Sequence, residues 1–105
     1  MQALFVYITM PDETSARLLA RTLVEERLCA GANIFPGLQS VYRWQGNMEE
    51  HGECACILKT SDERWAALEK RARELHPYET PCIAALAAEH VHLPFLRWIA
   101  EETRS

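Results

Sequence analysis

The sequence has no run of Lys or Arg. Its 11 Lys and Arg are outnumbered by 15 Asp and Glu, giving a formal net charge of −4. A phosphate backbone would find little to hold, so nucleic acid is not an expected partner. No apolar stretch approaches the roughly 20 residues of a membrane span, and no membrane association is expected. "ALFVYITM" follows almost directly on Met1, without a basic segment or a small-residue cleavage site. No signal peptide is read there, and a cytoplasmic protein is the expectation. GxSxG, HExxH and a Gly-rich phosphate loop are all missing, and no nucleophile–base pair stands out, so the chain does not read as an enzyme. The four cysteines, Cys29, Cys54, Cys56 and Cys82, contain no CxxC pair. They read as free thiols of a reducing compartment.

What is present reads as one small domain over residues 1–105. "ALFVYITM" (3–10) is β-prone, with Ala3, Phe5 and Tyr7 on one face and Leu4, Val6 and Ile8 on the other. Residues 11–28 predict a helix, with Asp12 as N-cap and Ala16, Leu19, Ala20, Leu23 and Leu28 at helical spacing. In residues 29–50, Pro36-Gly37 marks an interruption or bulge before "SVYRW" (40–44). "QGN" (45–47) turns the chain, and residues 49–60 return as the second arm of a long hairpin. In that arm Cys54, Cys56 and Leu58 share one face, and Ala55 and Ile57 the other. A second helix is expected over 61–76, capped by Ser61 or by Thr60, whose Thr60-x-x-Glu63 spacing fits a capping box, and ended by Pro77. Trp65, Leu68, Ala72 and Leu75 form its apolar stripe. A fourth strand over 82–89 and a short helix over 93–104, with Phe95, Leu96 and Ile99 as apolar contacts, complete the order.

The order β-α-β-β-α-β predicts an α+β, ferredoxin-like (split β-α-β) sandwich. Its antiparallel sheet carries two helices on one face, with a short C-terminal helix added. Two helices cover one face, yet the strands are apolar on both. The other face then needs a cover, and the simplest is another copy of the chain.

"TMPDE", "LVEERLCAGANIFPG", "SVYRWQG", "LKT" and "ELHPYETP" occur in order across residues 4 to 99. In these blocks the sequence resembles the CutA divalent-cation tolerance family, "HPYETP" being the most specific piece. The resemblance implies a tight homotrimer whose shape is similar to the PII signal-transduction proteins, linked to tolerance of copper and other divalent cations. Copper or another divalent cation is thereby the implied cofactor. Copper ligands proposed in bacterial members are a Cys near the end of the first strand and a His pair before "PY". Here those positions read Ile8 and Leu75-His76, so only His76 matches.

Three sets of residues are candidate metal ligands. His76 comes from the family pattern. Cys54 and Cys56 lie on one side of a strand, roughly 6.5–7 Å apart along the chain, as soft donors or as small core residues. His90 and His92, at i,i+2, form an exposed pair after Glu89. A separate cleft between subunits is expected from Tyr42, Arg43, Trp44, Lys59, Tyr78 and Glu79 around His76. With two cations in that set, a small carboxylate or phosphate ligand is the alternative to a metal role, with an unidentified protein partner receiving the signal. The competing reading of "LHPYETP" is structural: His76 at a helix end, Pro77 stopping the helix, Tyr78 burying its ring, and Glu79 paired with an arginine, such as Arg43 on the hairpin or one on a neighbouring subunit.

Overall fold

The structure, a computed structural model, describes residues 1–104. Its elements are β1 (Ala3–Met10), α1 (Glu13–Glu25), β2 (Gly31–Trp44), β3 (Asn47–Ser61), α2 (Trp65–Leu75), β4 (Ile83–Ala87) and α3 (Leu93–Glu102). The four strands form one antiparallel sheet in the order β2-β3-β1-β4, the ferredoxin-like arrangement expected from the sequence.

Register assigns the faces. Val6, Ile8 and Met10 of β1 stand opposite Leu58, Cys56 and Cys54 of β3, and all six belong to the main core. Ala16, Leu19, Ala20 and Leu23 of α1, with Leu68 and Ala72 of α2, close over them. Phe5, Tyr7, Ala55 and Ile57 occupy the opposite face.

Helix α1 begins as the sequence predicts: the Asp12 carboxylate accepts from the Ser15 backbone N–H at 2.7 Å. It ends three residues before the expected Leu28. Arg27 takes a positive φ of 60°, Leu28 N–H donates to Leu23 C=O, and Arg27 N–H donates to Val24 C=O. That pair of bonds is a Schellman cap, and it turns Leu28 inward onto the core.

The expected capping box at the second helix does not form. The Thr60 hydroxyl donates instead to the Leu28 carbonyl at 2.7 Å, inside the core. Residues Asp62–Arg64 make one 3₁₀ turn, and α2 starts only at Trp65. A buried hydroxyl with a carbonyl within reach serves that partner before a solvent-exposed helix end. Arg71 then ties α2 to the end of α1, its guanidinium donating to both Glu26 carboxylate oxygens at 2.9 and 3.0 Å.

The hairpin carries the expected bulge. Between Phe35 and Leu38 the register shifts, three steps along β2 against two along β3, with Gly37 at φ 78°. The extra residue flips the alternation, so Leu38, Ser40, Tyr42 and Trp44 join Glu53, His51 and Glu49 on the face opposite the helices. Gln45 and Gly46, both at positive φ, close a two-residue turn. Only Cys54–Ser61 of β3 pairs with β1, so the turn end of the hairpin projects beyond the sheet and stretches the chain to 44 Å.

One expectation needs correcting in part. The face opposite α1 and α2 is not left wholly to an outside partner. Helix α3 packs at one end of it, where Ile99 meets Ala3 and Ala30 and the Trp98 ring lies over Gly31. The rest stays open, with Leu86 66% and Phe35 48% exposed.

Candidate functional site

The hairpin and the segment after α2 enclose a cleft of about 770 Å³ on the open face of the sheet. Its position follows from three local features. The bulge turns Tyr42 and Trp44 to that face, since residues two apart on a strand point the same way. Pro77 ends α2 and sends the chain back toward the sheet. His76 then fixes the returning segment. The Tyr78 backbone N–H donates to His76 Nδ1 at 3.2 Å, so that nitrogen carries no proton. The ring hydrogen of the neutral imidazole is on Nε2, which donates to the Thr9 carbonyl at 2.8 Å. His76 is 8% exposed, and both its nitrogens are engaged.

Tyr78 completes the closure. Its hydroxyl donates to Glu53 Oε2 at 2.9 Å, and its ring leans on His76 with centroids 4.9 Å apart. Partial burial, then the hydrogen bond and charge of Glu53, push the Tyr78 phenol up to about 12. Tyr42 is raised as well, by desolvation first and then by Glu49 and Glu53. Cys82, at the cleft wall, is raised by desolvation and by Glu53. Glu53 is a shared cause in all three groups. Desolvation comes first in all three, and the Glu53 carboxylate adds to each.

Of the six residues expected around an intersubunit cleft, this cleft of the single chain brings together four: Tyr42, Trp44, Tyr78 and Glu79. Arg43 does not line it: it falls between Tyr42 and Trp44 and points to the other side of the hairpin. Lys59 does not either. It sits at the far end of β3, beside Phe5 and Gly31, and donates to the Asn33 side chain. Of the two partners expected for Glu79, Arg43 forms no ion pair with it among the described residues, and the other is an arginine of a neighbouring subunit. Sequence reasoning missed Glu53, Cys82, Ser40 and Thr9 in the lining. Gln39 and Val41 line the cleft beside Ser40 and Tyr42, so strand alternation past the bulge does not by itself sort the lining. Glu53 and Cys82 required the fold.

The metal candidates lie apart. Cys54 and Cys56 point into the core under α1, where the Cys56 thiol reaches the Ala16 carbonyl at 3.7 Å. Burial pushes the Cys56 thiol up to about 11 and the Cys29 thiol up to about 12. A protonated thiol is a poor metal ligand. Cys82 does not join them, since it lines the cleft on the opposite face. His90 and His92 are exposed at the other end of β4, leading into α3. Among the described residues, no group of three or more His, Cys, Asp or Glu side chains is preformed around a metal position. No helix among them is long and apolar enough to cross a membrane.

The family model described as CutA1 divalent ion tolerance protein matches residues 4–102. The divalent-cation tolerance protein CutA of Thermus thermophilus is 45% identical over 98 residues, covering 93% of this chain and 95% of that protein. The crystal structure of CutA1 from Oryza sativa superposes with a TM-score of 0.96 at 33% identity, covering 99% of this chain and 95% of that one. The periplasmic divalent cation tolerance protein CutA of Archaeoglobus fulgidus gives 0.94 at 38% identity, covering 97% and 99%. A match that spans both chains almost end to end, in sequence and in fold, leaves one assignment: this chain belongs to the CutA1 divalent ion tolerance family.

Proposed function

We propose that the chain is a homotrimeric, non-catalytic binding protein of divalent-cation tolerance, and that its cation site is the cleft between the hairpin and residues 77–82. The observation that carries this reading is the sign of the lining. Glu53 and Glu79 supply carboxylates, while no Lys or Arg contributes. Carboxylate oxygens suit divalent cations. The same lining speaks against the carboxylate or phosphate ligand that Arg43 and Lys59 would have held. His76 acts as the brace of the cleft and not as a ligand, since both ring nitrogens are hydrogen-bonded. The trimer is supported by the exposed apolar side chains Phe35 and Leu86 on the open face, where a second copy would bury them. Four free thiols suit a reducing compartment, so we place the protein in the cytoplasm, unlike its periplasmic relative.

The test is calorimetric titration of reduced, metal-free protein with Cu(I), Cu(II), Zn(II) and Mn(II). The same titrations are run on Glu53→Gln/Glu79→Gln and on His76→Ala. Binding tighter than about 10 µM, roughly −7 kcal/mol, that is lost in the double variant and kept in His76→Ala supports the site. No binding at that level, or equal binding in the double variant, refutes it.

A further inference from the structure

Glu49 and His51 are two residues apart on β3, so their side chains leave the same face of the hairpin. The register sets them opposite Tyr42 and Ser40. The Tyr42 ring locates the imidazole, with centroids 5.7 Å apart and planes at 41°. In that position His51 Nε2 stands 3.5 Å from Glu49 Oε1. This separation is long for an N–H···O hydrogen bond, which closes to about 2.7–3.2 Å. It matches a different geometry. Two ligand atoms bound to one tetrahedral zinc ion at about 2.0–2.2 Å stand about 3.4 Å from each other. Octahedral magnesium, with bonds of about 2.0–2.1 Å, would draw neighbouring ligands to about 2.9 Å. One imidazole nitrogen and one carboxylate oxygen also suit zinc or copper better than magnesium or calcium. Glu53, the next residue on this face, is engaged by the Tyr78 hydroxyl. Neither Glu49 nor His51 lines the cleft.

We propose that Glu49 Oε1 and His51 Nε2 chelate a borderline divalent cation of the zinc type, with water completing the tetrahedron. This is a second site, separate from the cleft, and it stands or falls independently of the cleft reading. It is argued from the meeting of two donor atoms and not from the exposure of either residue. Both donors belong to one strand of one chain, so the pair needs no residue of a neighbouring copy. An exposed ion pair between the same two groups would add little to stability.

The test titrates the full, assembled protein, reduced and metal-free, with Zn(II), and with Mg(II) as the comparison. The readout is the ring nitrogens of His51 in long-range proton–nitrogen spectra, identified among the four histidines by their loss in His51→Gln. The same titration on Glu53→Gln/Glu79→Gln separates this site from the cleft. The expected result is a saturable shift of His51 Nε2 with Zn(II), none with Mg(II), and the same shift in the double variant. Glu49→Gln should weaken the Zn(II) response about tenfold or more, no less than the loss of an outer-shell partner would. Glu49 and His51 lie outside both buried clusters, so these variants leave the core untouched. An unmoved His51 overturns the inference and leaves the cleft reading to its own calorimetry; the same result follows if a neighbouring copy shuts the ion out. An undiminished shift in Glu49→Gln overturns it as well, since one imidazole would then suffice. A shift lost in Glu53→Gln/Glu79→Gln also overturns it and makes His51 part of the cleft site.

Discussion

The Tyr78 hydroxyl donates to Glu53 Oε2 at 2.9 Å, across 25 residues of sequence. This bond joins the loop after α2 to the returning arm of the hairpin, two segments that otherwise meet only around the cleft. Tyr78→Phe removes the bond and keeps the ring. Bonds to charged acceptors contribute about 1.5–3 kcal/mol when shielded. Water reaches both partners here, so a loss of about 1 kcal/mol in denaturant unfolding is expected. Faster amide exchange over residues 77–82 should accompany it. Unchanged exchange would mean that His76 alone holds the loop.

The same bond has an alkaline signature. The phenol is raised from 10.0 to about 12 in the folded chain, so the fold favours the neutral form. Below pH 10 the phenol is neutral in folded and unfolded chains, and its contribution is complete. Between pH 10 and 12 the unfolded chain ionises first, and stability falls as pH rises. The difference in unfolding free energy between wild type and Tyr78→Phe should therefore shrink across that window and stay flat below it. A difference that grows with pH would reverse the assigned direction.

The thiols divide by face. All four are raised, but Cys29, Cys54 and Cys56 are buried, whereas Cys82 is exposed. A disulfide reagent at neutral pH should modify one thiol in the native protein and four after denaturation. Cys82→Ser should abolish the native reaction. Rapid native modification of Cys54 or Cys56 would mean that α1 opens readily from the sheet.

Much of this was legible in the chain. Strand β1, apolar at nearly every position, announced a sheet with two apolar faces, of which α1 and α2 cover one and α3 covers one end of the other. Pro36-Gly37 announced the bulge, and Gln45-Gly46 the turn. Local chemistry decided these features, and local chemistry is what a sequence displays. Three things were not legible. The Thr60 hydroxyl looked free to cap a helix until the fold brought the Leu28 carbonyl to it. The apolar side chains of α3 showed that it packs, but only Gly31 beneath Trp98 shows where. The lining of the single-chain cleft was not legible, because Arg43 lies outside it and Lys59 sits at the far end of β3. Glu53, which replaces them, sits 25 residues from Tyr78 and gave no sequence sign of meeting it.

Gly31 tests the docking of α3. A Cβ at this position would lie 2.9 Å from Cη2 of Trp98. Gly31→Ala therefore pushes the ring aside, at a cost of about 1 kcal/mol, the low end for overpacking because Trp98 is partly exposed. In a Trp98→Leu background the same substitution should be neutral. Thermal unfolding of the four proteins gives the coupling directly. If the two substitutions add without coupling, the ring does not rest on Gly31.

His76→Ala leaves the Thr9 carbonyl and the Tyr78 N–H without their partners. A loss of about 2–3 kcal/mol is expected for two buried groups left unpaired. His76→Gln, which can restore a donor toward Thr9, should recover part of it. Full stability in His76→Ala would remove the brace and return His76 to the list of free ligands.

The apolar open face separates folding from assembly. Ala55 is 2% exposed in a single chain, so Ala55→Asp would place a charge in an interior and damage the fold itself. Leu86 is on the same face, opposite Phe5, but stands 66% exposed. A charge there meets only water in an isolated chain, and Leu86→Asp should leave its fold intact. In a trimer that buries this face, the same charge is desolvated without a partner and the subunits separate. Light scattering of Leu86→Asp at micromolar concentration should then report a folded monomer, with the wild type three times heavier. A wild-type monomer would leave the apolar face without its proposed cover. A Leu86→Asp trimer would move the contact elsewhere, toward Phe35 and the hairpin, where Phe35→Asp is the next substitution to weigh.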